Sequence, residues 1–600
     1  MERSLKLISL IILLTLSIPS LLILSQDQQL YYIQTTSPQY SIVPGSQFVQ
    51  PLNSTQTLYI AVLLNFSNQS SLQSYLNQIY LLQSSFHHWL TPEQFREYYY
   101  PPKSYIDSLI RYLESYNLQF LGQYGLALIF KGTVGQIESA FNTYINIYYY
   151  PFKDLYWFGK VGITNIGPFY YYTNNVTASL PYNVGKYVLG IVGIDSLDPK
   201  VVNVTRQAWH LSMVKAQSNL ISKAVISPIT IQQYFNFTEA YSHGYNGNES
   251  DIAIEGVPEC YVNTSDIYAF WKLYGIPRTG HLNVITFGNV TSGGQSGENE
   301  LDAEWSGAFA PAANVTIVFS DGYVGGPALI GNLLNYWYEY YYMVNYLDPN
   351  VISISVTVEE SFLAAYYPAM LYMIHNMMLQ AAAEGISVLA ASGDWGFESD
   401  HPPPNFHIGV YNTIWYPESD PYVTSVGGIF LNASSNGSIV SISGWDYSTG
   451  GNSVVYPVQS YELTSLIPFT PVTVRTYPDI AFVSAGGYNI PEFGFGLPLI
   501  FQGQLFLWYG TSGAAPMTAA MVALGSSRLG ALNFALYHIS YQGIVVSPIG
   551  IFIGKQAWIP ITSGNNPLPA HYGWNYVTGP GTYDAYNMIY DLLLYSGLIS

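Results

Sequence analysis

Short segments rich in β-branched residues alternate with helical segments from residue 252 onwards. Ile252–Ile254 is the first predicted strand, and a long helix that ends near Gly385 leads into another strand at Ile386–Ala391. Between them, strands are predicted at Leu282–Phe287, Val315–Phe319 and Val351–Val356. Strands separated by helices favour an α/β fold with a parallel sheet covered on both faces. In such sheets, functional sites lie at the carboxyl ends of the strands.

The N-terminal part of the chain has a different pattern, which predicts a compact α+β domain over residues 40–195. Thr91 and Pro92 mark a helix start, because a capping residue is followed by proline at the first helical position. Apolar spacing predicts helices at Gln73–Ser84, Ser104–Leu118 and Val134–Phe141, and strands at Leu58–Leu64 and Gly125–Phe130.

The whole chain of 600 residues is longer than one hydrophobic core usually serves, so two or more domains are expected. Residues 196–227 contain four scattered basic residues without clean periodicity. We interpret this segment as a linker in which a precursor is cut. Residues 228–600 then form the second, larger domain.

The net charge of −19 at pH 7 argues against a nucleic-acid partner, because the chain has no basic footprint. Only 9% of the residues are charged. In strong acid the carboxylates would be neutral, and 18 Lys and Arg with 10 His would limit self-repulsion. Cys260 is the only cysteine, which excludes an internal disulfide and a multi-cysteine metal site.

The first 25 residues have the pattern of an export signal. Arg3 and Lys6 precede an uncharged, mostly apolar run at residues 7–24. Because the run is also just long enough to span a bilayer, residues 1–25 are either a signal peptide or a retained signal-anchor. Twelve Asn-x-Ser/Thr acceptors support a secreted, extracellular glycoprotein, which is attached to a membrane only if this segment is retained.

Ser512 lies in a run of small residues, Gly510–Ala515, immediately before an apolar helical segment. At a helix N-terminus its hydroxyl would be uncovered and close to free backbone N–H groups, as a nucleophile requires. The same residues also suit a tight turn into a buried helix, with Pro516 tolerated in the first helical turn. On this stretch alone the packing interpretation is at least as good.

Three carboxyl groups are further candidates. Glu298 and Asp302 are four residues apart at the start of a predicted helix, so they share one helical face. Alone, this pair is better explained as a solvated face, because carboxylates are common in first helical turns. Asp394 follows the strand that ends at Ala391, where it is either a turn residue or a side chain directed into the cleft. There, a protonated Asp394 would stabilise an oxyanion.

Together these residues resemble the active site of the sedolisin family of serine-carboxyl peptidases. Gly510–Pro516 resembles the serine signature that subtilisins and sedolisins share, but the chain lacks the His-Gly-Thr-type motif of subtilisins. Sedolisins have instead a glutamate, an aspartate four residues later and an aspartate in the oxyanion position. Glu298, Asp302 and Asp394 match these positions.

Two stretches in the N-terminal domain, His88–Phe95 and Gly132–Phe141, are similar to the activation domain of the same family. The resemblance implies a subtilisin-like parallel sheet with flanking helices, preceded by a smaller α+β prodomain. It also implies a serine endopeptidase made as a self-processing zymogen, with tripeptidyl-peptidase activity as a variant of the same chemistry. Its partners would be protein or peptide substrates and its own prodomain.

The resemblance assigns roles that suit acid. Ser512 would attack the peptide bond, Glu298 would be its general base, Asp302 would share a proton with Glu298, and Asp394 would donate to the oxyanion. A glutamate has a reference pKa near 4.3 and stays ionised where a histidine, near 6.5, is protonated. The alternatives are a catalytically silent member, a non-enzymatic cell-surface glycoprotein, and a neutral subtilisin-type enzyme, which the missing histidine motif disfavours.

The family's calcium site does not carry over to this chain. Sedolisins hold calcium near the C-terminus with two Asp carboxylates and backbone carbonyls. The corresponding positions here are Pro560 and Asn575. Because calcium favours charged oxygen ligands, we expect no tight calcium binding.

Overall fold

The structure is a computed structural model that describes most of the chain. The described residues are 32–34, 42–151, 156–159, 162–165, 168–196, 213–215, 226–257, 262–287, 297–320, 332–397, 414–434, 437–470, 472–487 and 496–600. The predicted export signal and most of the predicted linker lie outside these residues, and so does Cys260. Within them, no helix is both long enough and apolar enough to span a membrane.

The N-terminal domain is an α+β unit, as the sequence predicts. Its four strands form an antiparallel sheet in the order β4-β1-β3-β2. They are β1 (Thr57–Leu64), β2 (Gln119–Tyr124), β3 (Ala127–Thr133) and β4 (Val188–Val192), with helices α1 (Gln69–Leu81), α2 (Pro92–Tyr99), α3 (Lys103–Glu114) and α4 (Val134–Phe141). Thr91 and Gln94 form a reciprocal capping box that starts α2. A second antiparallel sheet joins Gln47–Pro51, Ile145–Tyr150 and Phe169–Asn174.

The second domain is built on a large, mainly parallel sheet, which confirms the predicted α/β class. Its order is β6-β7-β5-β8-β9-β10, and β10 then pairs with β12 in parallel and with β11 in antiparallel orientation. The strands are β5 (Asp251–Glu255), β6 (Leu282–Phe287), β7 (Asn314–Ser320), β8 (Val351–Ile354), β9 (Ser387–Ala391), β10 (Val423–Ala433), β11 (Ile439–Gly444) and β12 (Ile480–Gly487).

Helices cover both faces of this sheet, and a hairpin leads into the central one. The helices are α5 (Thr264–Leu273), α6 (Glu298–Phe309), α7 (Asn332–Tyr342), α8 (Pro368–Glu384), α9 (Thr511–Ala523) and α10 (Ala585–Tyr595), and the hairpin strands are β13 (Leu497–Phe501) and β14 (Gln504–Trp508). Every residue of α9 is buried, because this helix packs on β5, β8, β9, β10 and β12 and also against α6. The helix that carries Ser512 is therefore the centre of the domain.

The remaining elements are short. The helices are Tyr182–Gly185, Pro228–Tyr234, Phe237–Ser242, Met343–Leu347, Glu360–Tyr366, Ser460–Leu463 and Asn533–Leu536, with a single turn at Gln83–Ser85. The strands are Tyr32–Gln34, Tyr156–Gly159, Gly162–Asn165, Ser179–Pro181, Met213–Lys215, Val358–Glu359, Trp415–Tyr416, Gly451–Pro457, Val474–Tyr477, Ile544–Ser547, Gly550–Ile553, Trp558–Ile559 and Thr582–Tyr583.

The N-terminal domain packs against one face of the large sheet. Its core is continuous with the apolar side chains of α7 and α8, whereas α6, α9 and α10 share a separate core on the other face. Trp89 fits against Gly385 and Gly530, where an added Cβ would lie 2.6 and 2.7 Å from the indole ring. The hydroxyl of Tyr80 donates to the Ala382 carbonyl oxygen and accepts from the Ala531 N–H, each at 2.8 Å. The two domains are thus joined by packing and by directed hydrogen bonds.

Candidate active site

Ser512 is the second residue of α9, and Gly510 precedes the helix. The Gly510 N–H donates to the Ser484 carbonyl oxygen on β12 at 2.9 Å, which fixes the start of α9 at the sheet. The side chain of Ser512 is fully buried, so the expectation of an uncovered hydroxyl is wrong for this precursor chain. The physical reason is that α9 is enclosed along its whole length. Pro516 lies in the second helical turn, not the first, so residue 516 donates no helical hydrogen bond to Ser512.

Asp394 lies next to the start of α9. Its Oδ1 accepts hydrogen bonds from the Thr511 N–H at 2.7 Å and from the Thr511 hydroxyl at 2.8 Å. Its Oδ2 lies over Gly510, where an added Cβ would come within 2.7 Å of this oxygen. A glycine is therefore required at position 510. Asp394 is not a simple turn residue, because its side chain contacts the residue that precedes Ser512.

The loop that carries Asp394 is held by a neighbouring segment. The Trp395 N–H donates to the Thr449 hydroxyl at 2.9 Å, and the Thr449 N–H donates to the Gly393 carbonyl oxygen at 3.0 Å. The Thr511 hydroxyl also accepts from the Gly393 N–H at 3.0 Å. These bonds fix the carboxyl of Asp394 against α9.

Glu298 and Asp302 lie in the first turns of α6, with side chains that are 1% and 0% exposed. The solvated-face interpretation of this pair is therefore wrong, since α6 is buried on all sides and packs directly against α9. The start of α6 is anchored by Asn299, whose Oδ1 accepts from the Val257 N–H at 2.7 Å just beyond β5. Two of the four predicted residues thus lie on a helix in contact with the helix of Ser512.

A second pair of carboxyl groups on α6 was not predicted. Glu300 accepts from the Asn263 N–H at 2.9 Å, and Glu304 accepts from the Ile500 N–H on β13. Burial raises the pKa of Glu300 to about 7 and that of Glu304 well above its usual range. These groups hold α6 against α5 and against the hairpin that leads to Ser512. Their four-residue spacing was visible in the sequence, but nothing there distinguished them from solvated carboxylates.

Glu255 is another carboxyl that the sequence interpretation did not single out. It ends β5, where its Oε1 accepts from the Tyr340 hydroxyl at 2.8 Å. Burial, and to a smaller extent repulsion from Glu255, raise the pKa of Glu339 well above its usual range. The signal for Glu255 was its position directly after a predicted strand.

The described residues contain no group of three His, Cys, Asp or Glu side chains arranged to hold a metal ion. At the positions that correspond to the family's calcium carboxylates, Pro560 has no ligand side chain and Asn575 presents an amide. The side-chain nitrogen of that amide faces backbone carbonyl oxygens. Because a calcium ion needs oxygen ligands, these residues do not fit it.

The chain is similar in sequence to an activation domain and to known peptidases. The family model of the pro-kumamolisin activation domain matches residues 44–197. Kumamolisin from Bacillus sp. (strain MN-32) is 27% identical over 420 residues, which are 67% of this chain and 68% of that protein. Tripeptidyl-peptidase sed4 from Aspergillus fumigatus is 23% identical over 608 residues, covering 91% of this chain and 94% of that protein.

Among solved structures, a Pseudomonas sedolisin (serine-carboxyl proteinase) complexed with pseudo-iodotyrostatin aligns with a TM-score of 0.49 and 22% identity. That alignment covers 60% of this chain and 96% of that one. The sequence matches define the chain as a peptidase preceded by an activation domain. These matches support a peptidase similar to those of the sedolisin family.

Proposed function

We propose that this chain is the secreted zymogen of an acid-acting serine-carboxyl endopeptidase. Ser512 is the nucleophile, Glu298 the general base, Asp302 its partner and Asp394 the oxyanion stabiliser. The observation that carries the proposal is the junction at the start of α9. There Asp394 is hydrogen-bonded to Thr511, and α6, which bears the other two carboxyls, packs on the same helix.

The chemistry follows from these positions. Glu298 takes the proton of the Ser512 hydroxyl as the oxygen attacks the peptide carbonyl, and then gives that proton to the leaving amine. Asp302 shares a proton with Glu298, so that Glu298 can both accept the proton from Ser512 and donate it to the leaving amine. The resulting acyl-enzyme is hydrolysed by water through the same transfers in reverse.

Asp394 has the hydrogen-bond pattern that an oxyanion donor needs. A neutral carboxyl group accepts at one oxygen and donates from the other. Oδ1 of Asp394 accepts both bonds from Thr511, and Oδ2 lies over Gly510 beside the start of α9. With a proton on Oδ2, Asp394 would be the donor to the oxyanion in this proposal, and one such donor is typically worth about 2.7–4 kcal/mol in the barrier.

The zymogen part of the proposal is supported by the predicted linker. Its Met213–Lys215 strand pairs antiparallel with β14, and Met213 is opposite Trp508, four residues before Ser512. An extended peptide that adds a strand to a sheet edge is a common mode of peptide recognition. We infer that substrate takes this edge after the linker is cut, and that Ser512 becomes accessible at the same step.

The test is acid incubation of the purified full-length chain, followed by electrophoresis and N-terminal sequencing. The wild type and a Ser596→Ala control should shorten to one mature form whose new N-terminus lies within residues 196–227, whereas Ser512→Ala should not. Processing of Ser512→Ala at the wild-type rate would refute the nucleophile assignment. If the wild type stays intact and cleaves no peptide, the silent or non-enzymatic glycoprotein is the correct alternative.

Two further measurements refine the activity. A rate profile with its maximum at neutral pH would refute the acid-acting chemistry. Because one relative is named a tripeptidyl-peptidase, peptides with free and with acetylated N-termini should be compared. Cleavage of both supports an endopeptidase, and cleavage of the free form alone indicates release of tripeptides.

A further inference from the structure

The side-chain amide of Asn575 is the centre of a closed loop near the C-terminus. Its Nδ2 faces three backbone carbonyl oxygens, those of His571 at 3.1 Å, Gly573 at 3.4 Å and Gly579 at 3.2 Å. Backbone bonds in both directions between Asn575 and Gly579 close the same loop. Three carbonyl dipoles thus converge on one donor group, an arrangement that otherwise favours a cation.

The other end of the amide is equally well bound. Its Oδ1 accepts from the Val577 N–H and the Thr578 N–H, each at 3.0 Å, and from the Thr578 hydroxyl at 3.3 Å. This pattern fixes the orientation of the amide, because a flipped group would direct its oxygen at three carbonyls and its NH₂ at two N–H donors. The side chain of Asn575 is 2% exposed, so water does not compete for these bonds.

We propose that the Asn575 amide replaces a bound cation as the group that holds this C-terminal loop, and that the folded protein is independent of calcium. The amide supplies the positive end of a dipole to carbonyls that would otherwise repel one another. An aspartate of the same shape would supply a fourth oxygen and would need a cation between the oxygens. Pro560, the other replaced position, lies beside Gly581 at the end of this loop.

The loop around Asn575 contacts residues 448 and 450, next to the segment that is hydrogen-bonded to the loop of Asp394. The Ser448 hydroxyl donates to the Val577 carbonyl oxygen at 2.7 Å, and the Trp574 indole N–H donates to the Pro478 carbonyl oxygen at 3.0 Å. Gly450 lies so close that an added Cβ would be 1.9 Å from the Tyr576 carbonyl oxygen. Because residues 447–449 hold the loop of Asp394, loss of the amide contacts should loosen the active site as well.

The test compares thermal unfolding of the full-length wild type and Asn575→Asp, each with excess EDTA and with millimolar calcium. The pH is held near 7, where an aspartate with a reference pKa of about 3.9 is ionised. We expect the midpoint of the wild type to be the same under both conditions. Asn575→Asp should unfold several degrees lower in EDTA and recover most of that loss in calcium.

Asn533→Asp is the matched control. Asn533 is also buried, and its Nδ2 donates to the Val423 carbonyl oxygen at 2.9 Å and to the Tyr461 hydroxyl at 3.3 Å. This variant should also be destabilised, but its midpoint should not respond to calcium, because no cage of carbonyls surrounds its side chain.

Two results of this experiment would contradict the proposal. A wild-type midpoint that falls in EDTA and is restored by calcium would overturn it, even if no Asn575 variant folds. Equal midpoints of Asn575→Asp in EDTA and in calcium would show that the three carbonyls do not form a cation site, and would overturn the proposal. If Asn575→Asp folds only in cultures or refolding mixtures that contain calcium, that result would support the proposal. Because the readout is unfolding, the result is independent of whether the chain is a peptidase.

Discussion

Asp591 gives a direct test of how this fold responds to pH. It lies on α10 with a fully buried side chain, and its Oδ1 accepts from the Lys555 N–H at 2.7 Å. Gly554 is in close contact, since an added Cβ there would be 2.2 Å from the same oxygen. Burial raises the pKa of Asp591 from 3.8 to about 7. The carboxyl is therefore held neutral in mildly acidic solution.

The size and sign of the effect follow from this pKa. Below about pH 3.8 the group is protonated in both the folded and the unfolded chain, so its contribution to stability is fully present. As the pH rises, the unfolded chain releases its proton first, and stability falls until the folded group ionises near pH 7. At about 1.4 kcal/mol for each pKa unit, the full loss is about 4 kcal/mol as an upper bound.

The perturbation is Asp591→Asn, which keeps an acceptor for the Lys555 N–H and cannot ionise. In the Ser512→Ala background, urea unfolding should show the variant more stable than its parent at pH 8, by up to about 4 kcal/mol. At pH 3.5 the two should agree within about 1 kcal/mol. Asp107→Asn, at an exposed carboxyl paired with Lys103, should bring no gain at pH 8. An equal difference between Asp591→Asn and its parent at both pH values would refute the reasoning.

Two other substitutions test the domain contact and the site. Tyr80→Phe removes the hydroxyl that bridges Ala382 and Ala531, leaves two buried backbone groups without that partner and should weaken docking by about 2 kcal/mol. Acid processing should then be several-fold faster, as a time course on gels would show, and an unchanged rate would contradict a role in docking. Thr511→Val removes one of two bonds to Asp394 and also the acceptor of the Gly393 N–H. It should lower kcat about tenfold at an unchanged KM, since about 1.4 kcal/mol is one factor of ten. A loss confined to KM would contradict the assigned role.

The sheet was predictable from the sequence because its strands are short, β-branched and separated by helices. Leu282–Phe287 has the predicted bounds, and the other four predicted strands differ only at their ends. Three strands at the other side of the sheet, β10, β11 and β12, were not predicted. The antiparallel strand Ile439–Gly444, for example, has no regular alternation of buried and exposed residues, and nothing in it indicates its partner β10. Pairing partners depend on contacts between distant residues, which local patterns do not encode.

For the candidate site, too, the residues could be predicted from the sequence but their surroundings could not. The order and spacing of Glu298, Asp302, Asp394 and Ser512 are sequence properties, and they led to the family. Their burial is not, because it depends on α6 and α9 packing together inside the domain. For Asn575 the sequence shows only that a carboxylate is missing, and the three carbonyls around its amide emerge from the folded loop.

Buried carboxyls and the Asn575 amide have a common physical basis in acid. Burial raises the pKa of Glu304, Glu339 and Glu384 well above their usual range, so these three groups are neutral at low pH and place no charge in the core. Calcium ligands behave in the opposite way, because a carboxylate must be ionised to bind the ion and acid displaces it. An amide has no proton to gain in this range and holds its carbonyls at any pH. On the proposal that the Asn575 amide stands in place of a cation, a chain whose buried carboxyls are neutral in acid gains from an amide at this position, because the amide keeps its contacts where an ionised calcium ligand would be lost.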